Sequence, residues 1–253
     1  MLYLSKTAKL MFSIILLFLG SKFSTLYPKP PFTVANLLKN NETFDIVICN
    51  AAVLLGETIQ KTSDNYEAHF GINYLGHFTL LVSLLNQKLA SSRPKRIVIV
   101  SSCCHIIVKK SLFFEDLGWE NGVREKEQGL ESFRRDIAYA ESKLQLILLA
   151  KKLSQICDGI NINIAMPGPS YTSLISNFGH PTLKFFYRTP KQASQTILYL
   201  GFSEDEVAKN TSGKYFENCK IYENNLSEMA KSEEQMEKLW EVSCGMTGLS
   251  LVA

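Results

Sequence analysis

The sequence predicts an α/β protein built on a doubly wound parallel sheet. Three short apolar runs carry that prediction: Asp45-Ile-Val-Ile-Cys49, Arg96-Ile-Val-Ile-Val100 and Asn161-Ile-Asn-Ile-Ala165. Each has strand length and is rich in β-branched residues, as expected of strands buried on both faces. Stretches with helical periodicity lie between them, and alternation of strand and helix implies parallel pairing. With 253 residues, 46% of them apolar, the chain can bury one substantial core.

The N-terminal segment differs from the rest. Lys6 and Lys9 precede Leu10-Met-Phe-Ser-Ile-Ile-Leu-Leu-Phe-Leu19, and Gly20-Ser21-Lys22 follows. A basic flank before an apolar core fits a signal-like segment. A full bilayer span of roughly 20 apolar residues would need Lys6 and Lys9 at membrane depth, which is costly. Bulky Phe18 and Leu19 spoil the small-x-small positions of a cleavage site. An uncleaved membrane anchor is therefore the expectation, with an ordinary buried helix as the alternative. Tyr27-Pro-Lys-Pro-Pro31 then forms a stiff linker that no helix crosses. Residues 1–31 are accordingly set apart from a domain at 32–253.

Within that domain, Asp64 to Phe70 and Tyr74 to Leu89 carry apolar stripes of helical period. From Ile106 to Ile137 no period survives. Tyr139 to Ile156 is the clearest helix, with Leu144, Ile147, Leu148 and Leu153 on one side. Pro167-Gly168 stops the third strand, and Thr189-Pro190 opens another helix, since proline is tolerated in a first turn. There is no internal repeat or low-complexity tract. Net charge is +3, with both signs interspersed, so nothing draws the chain toward nucleic acid. Six cysteines show no spacing of a metal site and read as reduced structural thiols. The adjacent pair Cys103-Cys104 is poorly placed to bridge to itself.

Four features fall at strand ends or on adjoining helices, where open α/β sheets bind ligands. Tyr139 and Lys143 stand four apart on a helix and so share a face. A phenol titrates near pH 10, and a nearby ammonium should lower that value, making a group that moves protons to or from a carbonyl or alcohol oxygen. Ser102, ending the second strand, could hold the same oxygen, or simply cap the strand. Asn73 could hold a relaying water or bridge two elements as a structural amide. Pro167-Gly168-Pro169-Ser170-Tyr171-Thr172 could face a ligand with its backbone, or be a plain turn. His69 and His77 read as core histidines. Asn41, Asn210 and Asn225 begin glycosylation-like triplets that read as structural.

In this order and spacing the features resemble the short-chain dehydrogenase/reductase superfamily over roughly Val34 to Leu249. Cys49-Asn50-Ala51-Ala52 stands where that family has Asn-Asn-Ala-Gly; Asn73-Tyr-Leu-Gly-His-Phe78, Val100-Ser-Ser102, Tyr139-x-x-x-Lys143 and Pro167-Gly168 follow in family order. The long stretch between Ser102 and Tyr139 resembles the retinol-dehydrogenase-like branch. Glu67 to Phe78 and the tail Leu239-Trp-Glu-Val-Ser-Cys-Gly-Met-Thr-Gly248 look most like its X-linked subgroup. The resemblance implies a Rossmann-like sheet, an NAD or NADP cofactor, and interconversion of alcohol and carbonyl on a lipophilic substrate of retinoid, steroid or polyprenoid type. It implies Tyr139 as general acid/base, Lys143 tuning it and holding the nicotinamide ribose, Ser102 polarising the substrate oxygen and Asn73 completing a proton relay. Asn50, Ala51 and Ala52 would lie near the adenosine half, and Pro167, Gly168 and Thr172 around the nicotinamide. An endoplasmic-reticulum membrane location and a homodimer are further family expectations.

The family opens with a strand, a glycine-rich turn and a helix whose N-terminus holds the pyrophosphate. Before Asp45 the only glycine here is Gly20, and the residue that chooses between NAD and NADP is also absent. The expectation is an N-terminally truncated sheet whose Asp45–Cys49 strand lacks a neighbour, together with weak dinucleotide binding. Cys49 for asparagine and Ala52 for glycine are smaller departures. The alternative expectation is a truncated or inactive relative serving as a membrane-tethered binding protein.

Overall fold

A computed structural model describes residues 45–54, 60–86, 94–112, 114–116, 134–170 and 187–251. The N-terminal apolar run and proline-rich linker lie outside the described residues.

Five strands form one sheet in the order β1 (Ile46–Cys49), β2 (Arg96–Val100), β3 (Asn161–Met166), β4 (Tyr215–Glu217) and β5 (Lys220–Ile221). The first four are parallel and in simple register: Ile46 opposes Arg96, Arg96 opposes Asn161, and Ile164 opposes Tyr215. Among the described residues β1 pairs with β2 alone. Strand β5 folds back antiparallel on β4. The two-residue connection places Asn218 and Cys219 at φ of 52° and 59°. Two successive left-handed residues make the hairpin turn whose twist suits the flanking strands.

Strand residues alternate between two cores, as the pleat requires. Val47, Cys49, Ile97, Ile99, Ile162 and Ile164 face one core. The helices α1 (Gly76–Leu85), α2 (Arg134–Ile156) and α6 (Glu233–Thr247) pack there. Ile48, Val98, Val100, Ala165 and Phe216 face the other, under α3 (Pro190–Phe202). Helices cover both faces, so the sheet is doubly wound, as the apolar runs predicted. Two short helices, α4 (Glu206–Asn210) and α5 (Glu228–Lys231), lie between these elements.

Local chemistry sets the helix starts. Thr189 and Gln192 form a reciprocal capping box before Pro190, which satisfies first-turn N–H groups. The predicted helix from Asp64 is corrected: residues 63–66 form a turn with Asn65 at φ 65°, and the helix begins at Ala68. The Glu67 carboxylate accepts the Phe70 N–H at 2.7 Å and so caps it there. One wide π-helical turn, Phe70–Leu75, leads into α1. The clearest predicted helix also starts earlier than Tyr139, at Arg134.

Phe78 on α1 is fully buried and meets Trp240 of α6 edge to face, ring centroids 5.2 Å apart. Truncating such a residue removes transfer energy and leaves a cavity. Phe78→Ala should lower unfolding free energy by about 3–5 kcal/mol, read from urea denaturation; a loss under about 1 kcal/mol would contradict this packing.

Candidate active site

The site is assembled where α2 crosses the C-terminal end of β2. The Ser101 hydroxyl donates to the Lys143 carbonyl at 2.8 Å, and Lys143 Nζ donates back to the Val100 carbonyl at 3.2 Å. One turn earlier on α2, the Tyr139 phenol is near enough to the Ser102 side chain to be lowered by it. The Lys143 ammonium lies 5.6 Å from the centre of the Tyr139 ring. Ser102 has extended backbone and caps the 3₁₀ turn Cys103–Ile107, its hydroxyl accepting the Cys104 N–H at 3.3 Å. The structure therefore brings Tyr139, Lys143 and Ser102 together.

Burial dominates their electrostatics. Tyr139 is 9% exposed and Lys143 3%. Loss of water disfavours either charged form. It pushes the Tyr139 phenol well above its ordinary value; the charge of Cys104 adds to this, and the Ser102 side chain opposes it. The same desolvation pushes the Lys143 ammonium down to about 8, with Cys104 opposing. The expectation that the ammonium would lower the phenol is thus corrected: desolvation outweighs attraction here, and the ammonium's hydrogen bond goes to Val100. At neutral pH Tyr139 is a protonated phenol, ready to donate to an oxygen.

Asn73 sits fully buried in the π-helical turn. Its Oδ1 accepts the Val53 N–H at 2.7 Å, and its Nδ2 donates to the Val53 carbonyl at 3.0 Å and to Ser142 Oγ at 3.1 Å. Ser142 in turn donates to the Tyr139 carbonyl at 2.7 Å. The amide therefore ties the segment after β1 to α2, the bridging alternative among the two expected of it. His77 makes a parallel tie, its Nε2 donating to the Ala51 carbonyl at 2.8 Å. Burial pushes His77 down to about 4; the Ala51 bond opposes the shift and the Lys143 charge adds to it, so the ring is neutral.

Asn50 is exposed, and Ala51 and Ala52 are half-buried, just beyond the end of β1. Beyond β3, Gly168 has φ 81°, and a Cβ there would lie 2.5 Å from the Arg188 guanidinium carbon. Arg188 Nη1 donates to the Pro167 carbonyl at 3.0 Å. Only glycine fits this turn. Thr172 lies outside the described residues.

Sequence reasoning missed three contributors. Ser101 holds α2 in place. Arg188 closes over the Pro167-Gly168 turn. The buried Glu67 carboxylate holds His69 Nδ1 at 2.7 Å, and the His69 ring meets Tyr139 edge-on, centroids 6.0 Å apart. None has a local pattern that marks it, because each contact joins elements distant in sequence or depends on the turn before α1.

No protein-family model matches the chain. It is 34% identical over 228 residues to retinol dehydrogenase 13 of Mus musculus, covering 85% of this chain and 63% of that protein. It is 34% identical over 224 residues to human retinol dehydrogenase 14, covering 84% and 61%. Among solved structures, an uncharacterized Mycobacterium paratuberculosis protein superposes with a TM-score of 0.60 at 21% identity, over 87% of this chain and 73% of that one. The 3-alpha-hydroxysteroid dehydrogenase of Pseudomonas sp. B-0831 complexed with NADH superposes with a TM-score of 0.51 at 21% identity, over 72% and 74%. The chain belongs to the retinol-dehydrogenase-like branch of the short-chain dehydrogenase/reductases. It spans under two thirds of the length of these curated relatives.

Within this short-chain dehydrogenase/reductase, Asn73→Ala would strand the Val53 N–H and carbonyl. Each buried polar group left unpaired costs about 1–3 kcal/mol. The urea midpoint should fall with the slope unchanged; an unaltered midpoint would contradict the bridging role.

Proposed function

We propose that this chain is an NAD(P)-dependent oxidoreductase interconverting alcohol and carbonyl on a lipophilic, retinoid-type substrate. The observation that carries the reading is the convergence of the Tyr139 phenol, the Ser102 hydroxyl and the Lys143 ammonium at the end of β2. The relatives named for retinol oxidation supply the substrate class. The nicotinamide cofactor, once bound, supplies or accepts the hydride.

The chain's own residues handle the proton and the orientation. Ser102 holds the substrate oxygen beside Tyr139. The protonated phenol donates to that oxygen as negative charge develops on it during carbonyl reduction, and takes the proton back in alcohol oxidation. An ammonium offers three donors; Lys143 gives one to Val100 and has capacity for ribose hydroxyls. The Pro167-Gly168 turn, with no side chain at Gly168, would face the nicotinamide, and Asn50, Ala51 and Ala52 the adenosine half. Asn73 keeps that second segment against α2. Its amide being committed to Val53 and Ser142, its contribution is positional.

The pyrophosphate end fits less well. Among the described residues there is no glycine-rich turn joining a strand to a helix N-terminus, the usual anion site. Weak dinucleotide affinity is therefore part of the proposal, as are a membrane anchor at Leu10–Leu19, a reticulum location, pairing into a homodimer, and the division at residues 31 and 32. Among the described residues no helix is long and apolar enough to cross a membrane.

With retinal and millimolar NADPH or NADH, Tyr139→Phe should reduce turnover by roughly 10²–10⁴-fold, the scale of general acid–base catalysis. Equal turnover of the two proteins, or none by the unsubstituted chain, would overturn the reading. Calorimetry should find dinucleotide binding weaker than micromolar.

A further inference from the structure

One short segment of the chain meets Tyr139 at both its backbone and its ring. The Tyr139 carbonyl accepts from Ser142 at 2.7 Å, and the Ser142 hydroxyl accepts from the Asn73 amide at 3.1 Å. His69, four residues before Asn73, meets the Tyr139 ring with centroids 6.0 Å apart and planes at 80°. Aromatic rings favour that arrangement. The Lys143 ammonium lies 5.6 Å from the centre of the same ring.

His69 is itself held. It is 2% exposed and Glu67 1%, and its Nδ1 is hydrogen-bonded to Glu67 Oε1 at 2.7 Å. The other carboxylate oxygen accepts the Phe70 N–H at 2.7 Å. Glu67 is fastened in turn to the residues before it. It bridges antiparallel to Lys61, and the adjacent Ala68 N–H donates to the Gln60 carbonyl at 2.8 Å. Gly71 donates its N–H to the Glu67 carbonyl at 2.8 Å, and a Cβ there would lie 2.7 Å from Thr62 Cγ2. Capping a helix takes one accepting oxygen, which Asp205 and Ser232 supply at α4 and α6. A buried carboxylate is costly unless its oxygens are satisfied. The bond from Glu67 to His69 therefore does something that capping leaves unexplained.

We propose that Glu67 and His69 are a positioning pair for the proton-transfer group. The carboxylate fixes the imidazole, and the imidazole fixes the Tyr139 ring, so that the phenol stays aimed at the substrate oxygen. The pair acts through geometry, and no proton moves along it. This inference rests on the oxidoreductase reading and deepens it: the group that gives the proton is aimed by a carboxylate two residues from the ring that meets it. A ring released from His69 spends less time in reactive alignment, and a misplacement of about 1 Å costs roughly 10²-fold in rate.

Two substitutions separate holding the ring from satisfying the carboxylate. His69→Asn keeps an N–H donor close to the Nδ1 position and removes the imidazole ring; His69→Leu removes both. With retinal and NADPH or NADH, His69→Asn should lower kcat and kcat/KM together by roughly 10²-fold. Its urea midpoint should stay above that of His69→Leu. Ring placement is read without cofactor or turnover, by NMR on the full chain carrying ring-labelled tyrosine, with Tyr139 assigned by its loss in Tyr139→Phe. The Tyr139 ring should show Overhauser contacts to the His69 ring, a readout that needs no variant of the pair to fold. In His69→Asn the ring order parameter should fall to the flexible range, below about 0.6. Missing contacts in the unsubstituted chain, or unchanged kcat or unchanged ring order in folded His69→Asn, would overturn the proposal. No turnover by the unsubstituted chain would sink the oxidoreductase reading instead, and the contacts and ring order would still decide the placement.

Discussion

The arrangement of the site depends on a reciprocal bond between a helix and a strand end. Val100 accepts from the Lys143 ammonium, and the next residue, Ser101, donates to the Lys143 carbonyl. Two bonds from successive residues at the strand end to one helical residue fix both the height and the rotation of α2 on β2. The register then delivers the chemistry: the next residue, Ser102, comes to Tyr139, one helical turn before Lys143. Asn73 and His77 extend the same logic to the end of β1, tying Val53 and Ala51 to the helix that packs beside α2. Beyond the end of the neighbouring β3, Arg188 holds the Pro167-Gly168 turn.

The cost of this placement is electrostatic. A phenol and an ammonium taken from water each favour their neutral forms. The direction for Lys143 has a consequence for stability. Its folded value, about 8, lies below the unfolded 10.5, so between them the unfolded chain binds more protons. Stability from this group therefore rises with pH across that window, and below it the buried ammonium is a standing cost. Cofactor hydroxyls accepting from Lys143 would favour the charged form and restore the attraction that lowers a phenol. In that view the resting site is an acid, and binding is what tunes it.

Much of the fold was legible because parallel strands buried on both faces leave a strong mark. Ile-Val-Ile runs at Ile46 and Ile97 can hardly be anything else, and Thr189-Pro190 advertises its own helix start. The misses follow from weaker local signals. The Tyr215–Ile221 hairpin is short and turns on Asn218-Cys219 rather than on glycine. The Asp64–Glu67 stretch carries helical periodicity, yet Asn65 takes a left-handed conformation and Glu67 caps the helix three residues before Phe70. The π-helical turn holding Asn73 has no sequence signature at all. In the site, Tyr139, Lys143 and Ser102 could be read from order and spacing. The direction of their titration could not, since burial is a property of the assembled core. Nor could the Glu67–His69 contact on Tyr139.

The most direct test of this account is the titration of Lys143 itself, followed by nitrogen-detected NMR on the chain with labelled lysine, the signal being assigned by its loss in Lys143→Met. A midpoint near 8 is expected if the ammonium is held dry against the Val100 carbonyl. A midpoint at the ordinary lysine value, roughly 10.4, would show that the amine reaches water. The helix would then not be seated on the strand end, and the site described would not exist.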